Sequence, residues 1–124
     1  MVFTSCEKEQ DELIIGTWTA EISEDYKEYE NGELIYSDID TFTETWTFQK
    51  NGQLLVNYEG KQDTYTYSVQ GDKLQTTYAQ DFSEEKDYFS IKTLESNRIL
   101  LSVEDDYQDG SFSIKYQYTI NLRK

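Results

Sequence analysis

Histidine and proline are missing from this chain of 124 residues, and cysteine occurs once. Without an imidazole, the chain lacks the commonest general base and metal ligand of enzymes, and a histidine-based catalytic triad is excluded. A single thiol excludes an internal disulfide, and the usual ligand sets of zinc are incomplete. We therefore expect a protein that is not an enzyme and that uses no cofactor and no metal ion.

Basic residues are also scarce, because 11 of them face 25 acids and leave a formal net charge of −14. A surface of this sign repels phosphate backbones, so nucleic-acid binding is excluded on electrostatic grounds. No run of apolar residues approaches the roughly 20 that a membrane-spanning helix needs. If the protein is held at a membrane, we expect the attachment to be a lipid on a side chain.

What the chain has in quantity is aromatic residues, at 15% of the sequence, and alternation of apolar with polar side chains. Alternation with a period of two gives a strand one buried and one wetted face. Residues 111–122 alternate without a break, which excludes a helix for this segment. The apolar members of this strand are Phe112, Ile114, Tyr116, Tyr118, Ile120 and Leu122.

The same pattern recurs upstream and predicts about eight strands joined by short turns. Strands are indicated near residues 17–22, 41–48, 53–58, 65–69, 74–78, 88–94, 99–103 and 111–122. The connections leave no room for a crossover helix, so each strand is predicted to pair antiparallel with the next. An all-β, up-and-down antiparallel β-barrel accounts for this pattern and removes the exposed sheet edges, and a β-sandwich is the rival fold.

The first residues form a separate unit in this interpretation. Residues 1–12 are predicted to be a signal-peptide remnant followed by an acidic linker, and residues 13–124 a single β-domain. Small Ser5 before Cys6, followed by acids, resembles the processing site of envelope lipoproteins of Bacteroidetes-type bacteria. The resemblance implies that Cys6 is the lipid-attachment residue of an outer-membrane lipoprotein, either periplasmic or surface-facing; otherwise Cys6 is an ordinary thiol.

A glycine two residues before a tryptophan opens the β-domain, at Gly16 and Trp18. This Gly-x-Trp pattern at the start of a β-domain resembles the signature of lipocalins and fatty-acid-binding proteins. The resemblance implies a barrel whose closed base is plugged by Trp18 under a basic residue from one of the last strands. Arg123, or else Arg98, is the residue expected over the indole.

Side-chain parity also predicts which residues line the upper interior of such a barrel. The predicted ligand-pocket residues are Phe42, Glu44, Trp46, Tyr65, Tyr67, Tyr78, Tyr116 and Tyr118. Glu44 is the charged member of this set, and a carboxylate there needs a partner or contact with water. The tyrosines fit either a pocket with hydroxyl groups or a filled core, because eight-stranded interiors are narrow.

Up-and-down topology places alternate turns at opposite ends of the barrel, and the charges divide unevenly between those ends. Most acids fall in segments assigned to loops at the open end, among them residues 23–40 and 104–109. Such an acidic rim either serves only the solubility of the protein or attracts cations and repels fatty acids.

Two functions follow for a lipoprotein that is not an enzyme. The lipocalin resemblance implies a module that binds a small hydrophobic or cationic ligand inside the barrel. The alternative is a protein-interaction or inhibitor module that presents the acidic rim to a basic protein partner. An interior of a few hundred Å³ favours the first function, and a filled interior favours the second.

Overall fold

The computed structural model describes residues 12–79 and 86–124. Residues 12–14 are helical, and eight strands follow them. The strands are β1 (Gly16–Glu30), β2 (Glu33–Phe48), β3 (Gln53–Tyr58), β4 (Lys61–Gln70), β5 (Lys73–Tyr78), β6 (Lys86–Leu94), β7 (Arg98–Asp109) and β8 (Phe112–Arg123). Among the described residues, none lies in a helix with the length and apolar character needed to cross a membrane.

The eight strands form one closed barrel in which each strand is hydrogen-bonded to its neighbours in the sequence. The barrel closes where β8 pairs antiparallel with β1, with Ala20 opposite Leu122 and Thr19 opposite Arg123. The sandwich alternative is therefore wrong, and the up-and-down barrel predicted from the alternating pattern is confirmed. Closure gives each of the eight described strands partners on both sides around the lower barrel.

The core fills the closed half of the barrel with the apolar members of the alternating strands. Trp18, Ile22, Trp46 and Phe48 are buried in it, and smaller aliphatic side chains fill the space between the rings. The other buried apolar residues are Ile14, Ala20, Leu54, Val56, Leu74, Ile99, Leu101, Ile120 and Leu122. Because the strands contribute their inward faces, this half is a solid plug and the free space lies above it.

Two hairpins have the backbone geometry of type I′ turns, in which both central residues have positive φ. Asn31 and Gly32 have φ of 52° and 80°, and Glu59 and Gly60 have φ of 49° and 78°. The Asn-Gly pair lets β1 and β2 run to their full length of 15 and 16 residues before the chain reverses. The twist of such turns matches that of the flanking strands, so the long hairpin is continuous.

Beyond the rim of the barrel, β2, β1, β8 and β7 continue as a four-stranded sheet, which we call the protruding sheet. Pairing of β2 with β3 covers only residues 45–48 of β2, and pairing of β6 with β7 stops at Ser102. Residues 33–44 and 103–109 therefore extend past the shorter strands. The sequence interpretation was wrong in counting residues 23–40 and 104–109 with the loops at the open end, because they are largely strand. The hairpin signal of Asn31-Gly32, which indicated that the first strand runs on and returns, is confirmed.

Candidate functional site

A cavity of about 560 Å³ opens in the upper half of the barrel, above the core. Its floor and walls are largely apolar and aromatic, and charged side chains lie among them. The lining residues are Glu44, Trp46, Leu54, Val56, Tyr58, Asp63, Tyr65, Thr76, Lys86, Asp87, Tyr88, Phe89, Val103, Tyr116 and Tyr118. A volume of this order is typical of sites for small organic ligands.

Five of the predicted pocket residues line this cavity: Glu44, Trp46, Tyr65, Tyr116 and Tyr118. They come from β2, β4 and β8, which the barrel brings together. Parity along each strand was sufficient to predict them, because inward residues alternate regularly.

Three of the predicted pocket residues lie elsewhere. Phe42 is on the same face of β2 as Glu44, but it lies above the rim and is exposed. The Tyr67 hydroxyl donates a hydrogen bond to the Gln49 carbonyl, and its ring packs edge-on against Phe48, below the cavity. Tyr78 packs against the Tyr65 ring and is not a lining residue of the cavity. Parity gives the face of a strand and does not give the height in the barrel.

Glu44 lies at the upper wall of the cavity, two residues above Trp46 on the same face of β2, and opposite Ala20 on β1. Because alanine leaves open space beside it, the carboxylate fits inside the barrel. Its Oε1 accepts a hydrogen bond from the Trp46 indole Nε1 at 3.0 Å. A neutral donor of this kind orients the carboxylate without compensating its charge.

A second carboxylate, Asp63 on β4, lines the same cavity and was missed in the sequence. The Tyr58 hydroxyl donates to its Oδ2 at 2.9 Å, and the Tyr78 hydroxyl donates to its Oδ1 at 3.3 Å. A signal for Asp63 existed, because it has the same parity on β4 as Tyr65. Asp63 was overlooked because it was assigned to the turn after β3.

The carboxylates also act on the tyrosines around them. Burial, together with the nearby charges of Asp63 and Glu44, raises the pKa of Tyr65 to about 12. Burial, and then Glu44 and Glu24, raise the pKa of Tyr118 above its usual value. For Tyr58 the hydrogen bond to Asp63 is the main cause of a raised pKa. These phenols stay neutral, so the negative charge of the cavity comes from its carboxylates.

No described basic residue forms a salt bridge with Glu44 or Asp63. Lys86 also lines the cavity, at the start of β6 and next to Asp87 in the sequence, but it forms no salt bridge with either carboxylate. Partly desolvated carboxylates without a cationic partner keep a strong attraction for a cation. Within residues 12–79 and 86–124, no group of three or more potential metal ligands lies together.

At the closed end, Trp18 is buried, with 1% of its surface exposed, as the sequence predicted. Its Nε1 donates to the Ile14 carbonyl at 2.8 Å. The cation over its ring is Lys124, with Nζ 4.8 Å from the ring centroid, and the same amine donates to the Ile15 carbonyl at 3.0 Å. The base of the barrel is thus tied to the segment that leads into β1.

The assignment of Arg123 or Arg98 over Trp18 was wrong. Arg123 is opposite Arg98 in the β7–β8 register, and both are exposed. Leu122 points inward, so Arg123 must point outward and Lys124 returns to the inner side. Gly16 has φ of 133°, and a Cβ placed there would come within 2.8 Å of Lys124 Cε. Glycine at this position therefore gives the lysine room to reach the indole.

Cys6, the predicted lipid-attachment residue, lies outside the described residues.

No protein-family model matches this chain, and no curated protein matches it. Solved structures are similar to it, two of which follow. One is an uncharacterized protein from Bacteroides eggerthii, with 14% identity over 84% of this chain and 98% of that chain, at a TM-score of 0.47. The other is a lipocalin-like protein from Bacteroides uniformis, with 16% identity over 85% of this chain and 97% of that chain, at a TM-score of 0.47.

Proposed function

We propose that this protein binds a small organic cation with an apolar body in the upper cavity of the barrel. The observation that carries the proposal is the pair of cavity carboxylates, Glu44 and Asp63, which among the described residues have neutral hydrogen-bond donors and aromatic neighbours. An ammonium group would compensate one of these two charges. The faces of the rings would attract it further, by about 0.5–2 kcal/mol per favourable contact.

The apolar part of the ligand would lie against the floor of the cavity, where Leu54, Val56 and Phe89 are lining residues. Burial of each methylene there contributes roughly 0.8 kcal/mol. A fatty acid could gain the same apolar contacts, but its carboxylate would lie close to Glu44 and Asp63. The charge of the cavity therefore selects between ligands with equal tails.

Three probes with the same tail separate charge from apolar burial: decylammonium, decanol and decanoate, titrated calorimetrically below their micelle concentrations. We expect affinity to fall in that order. Asp63→Asn and Glu44→Gln should each weaken decylammonium binding about tenfold, as expected for loss of a charged partner. Decanol binding should be unchanged, which makes it the matched control for folding. The proposal would be refuted if decanoate bound as tightly as decylammonium does. It would also be refuted if Asp63→Asn and Glu44→Gln bound decylammonium as tightly as the unchanged protein.

Attachment of the protein to the cell envelope through an acyl chain on Cys6 is the second part of the proposal. It is supported by the small residue before the cysteine and by the acidic segment after it. Native mass spectrometry of protein purified from its own host would show the added mass of a lipid, and Cys6→Ala should remove it. An unmodified Cys6 in protein from that source would contradict the lipid attachment and would not affect the proposal of a ligand in the cavity.

A further inference from the structure

Among the described residues, none pairs with the outer side of residues 36–44 of β2, so this strand forms an edge of the protruding sheet. Residues 33–44 of β2 pair with β1 on one side, and the β3 pairing begins only at Thr45. One irregularity in the β1–β2 register, between Glu28 and Tyr29, leaves Ile35 as an extra residue near the tip. From Tyr36 to Glu44 the edge is regular, with backbone donors and acceptors pointing away from β1. Such an edge is a template for a further strand.

Natural proteins protect such edges with proline, lysine, bulges or a covering segment. The chain has no proline, and the bulge lies at the tip, outside the regular part of the edge. Apolar side chains remain exposed along it, with 53% of Leu34, 52% of Tyr36 and 66% of Ile39 accessible. Acids are thus the main protection of this edge, and they protect only against strands that carry like charge.

The two faces of the protruding sheet differ in charge. Lys27 and Lys115 both lie on the outer face, and the described residues of the face continuous with the barrel interior include no base. That inner face combines acids with aromatic rings, and we call it the acidic aromatic face. Its residues include Glu24, Tyr26, Glu28, Tyr36, Asp38, Asp40, Phe42, Asp105, Tyr107 and Tyr116.

Within this face, Glu24 and Asp40 are directly opposite each other across β1 and β2. Like charges in directly opposite positions are destabilising. Lys27 forms its salt bridge with Asp25, at 3.8 Å on the outer face, and offers no compensation. A cationic side chain arriving over Asp38 and Asp40 would relieve this repulsion.

We propose that this β2 edge binds an extended basic segment of another protein as an added strand. Alternate Lys or Arg side chains of that segment lie over Asp38 and Asp40 on the acidic aromatic face. The side chains between them are small or apolar and lie beside Ile39 on the outer face. Main-chain hydrogen bonds to β2 supply affinity, and the alternation supplies specificity.

A second copy of this chain does not fit the same edge. Pairing of two β2 strands would bring Asp38 and Asp40 of both copies into contact, between molecules of net charge −14. Repulsion at this range is costly and directs the edge towards a partner of opposite sign. The partner is therefore basic.

The probe is a fluorescein-labelled octapeptide in which lysine and valine alternate, measured by fluorescence anisotropy. The first control has the same composition in scrambled order, and the second has the same sequence with alternate amides N-methylated. Charge is equal in all three, so simple attraction to an acidic protein would not distinguish them. We expect the alternating peptide to bind about tenfold more tightly than either control, and more weakly as salt rises.

Variants locate the site on β2. Asp38→Asn combined with Asp40→Asn should weaken binding about tenfold, the order expected for the loss of two exposed ion pairs. Ile39→Lys, at an exposed position, should abolish binding, and Asp63→Asn in the cavity should leave it unchanged. Equal binding of the scrambled peptide, or normal binding by the β2 variants, would overturn the proposal. So would sedimentation of the chain as a dimer that Ile39→Lys converts to a monomer, since the edge would then belong to a second copy.

Discussion

At the scale of single residues, small differences in position decide what a side chain does. Trp18 and Trp46 are both inward and directly opposite each other in the β1–β2 register. Trp18 is sealed between Ile14 and Lys124, whereas Trp46 has its indole N–H on Glu44 and one face towards the cavity. One tryptophan is therefore structural, and the other belongs to the candidate binding site.

Trp18→Ala should destabilise the protein by about 3–5 kcal/mol, because removal of a core aromatic side chain leaves a cavity that the surrounding residues of the closed base cannot fill. Urea unfolding monitored by circular dichroism measures the change. Trp46→Ala is the control, because it borders space that is already open, and its cost should be smaller. A loss below about one kcal/mol for Trp18→Ala would show that Trp18 does not plug the base.

Gly16→Ala should also destabilise the fold, by about 1–3 kcal/mol, because alanine is strained at positive φ and its Cβ would displace Lys124. Gly52→Ala is a matched control, since φ is also positive there and nothing lies within 4 Å of the added Cβ. The excess cost at Gly16 over Gly52 measures the contact with Lys124. Equal costs at both positions would argue against a role for Gly16 in seating the lysine.

Because of Tyr65, the free energy of unfolding should depend on pH in the alkaline range. The pKa of Tyr65 is about 12 in the folded protein, against 10.0 for an unperturbed tyrosine side chain. Above the lower value the unfolded chain loses the proton first, so stability falls as pH rises towards the higher one. Tyr65→Phe should flatten the decline in unfolding free energy between these pH values. An unchanged slope in that variant would show that the tyrosine is not buried beside the carboxylates.

At the scale of secondary-structure elements, each long strand has two parts with different surroundings. The lower part of β2 ends in Trp46 and Phe48 in the core, and its upper part is exposed on both faces. The same division applies to β7, in which Ile99 and Leu101 are buried and residues 104–109 are exposed. The upper parts are held by backbone pairing and the lower parts also by apolar burial.

Amide hydrogen exchange should therefore be at least about tenfold faster at residues 36–43 of β2 than at residues 45–48, because local opening is cheap where few apolar contacts are lost. Mass spectrometry of peptic fragments provides the rates. The paired strand β8 is the internal control, since it has neighbours on both sides along its length. Uniform protection along β2 would indicate that another molecule already covers the edge.

At the scale of the whole molecule, charge is distributed along the barrel axis. Glu104, Asp105 and Asp106 belong to the protruding sheet, and Arg98 and Arg123 lie exposed at the closed end. The three acids alternate between the faces of β7 and do not converge on one point. The molecule is consequently an electric dipole with its acidic, cavity-bearing end opposite its basic end.

If Cys6 carries a lipid, this dipole should turn the open end of the barrel away from an anionic bilayer, because the basic end is attracted to it. Spin labels at Asn51, in the turn between β2 and β3, and at Gln108, near the tip of β7, report the orientation of lipidated protein on anionic vesicles. We expect the Asn51 label to be closer to the lipid. A closer Gln108 label would mean that the anchor or the charge asymmetry does not control orientation.

The sequence by itself determined the strand number, the pairing order and most of the inward faces. Alternation with a period of two is a local property, and short turns such as Asn31-Gly32 permit only sequential pairing. It also determined that Glu44 faces inward, because its parity with Trp46 does not depend on the rest of the fold. Residue type and parity thus sufficed for much of the cavity wall.

Only the tertiary structure decided where each side chain lies along the barrel axis. Relative strand length and register place Phe42 above the rim, Tyr67 in the core and Asp63 within reach of Tyr58 and Tyr78. They also extend four strands into the protruding sheet, where the sequence had suggested loops. These properties depend on contacts between segments distant in the chain, and a pattern read along one strand contains no information about its offset from the next.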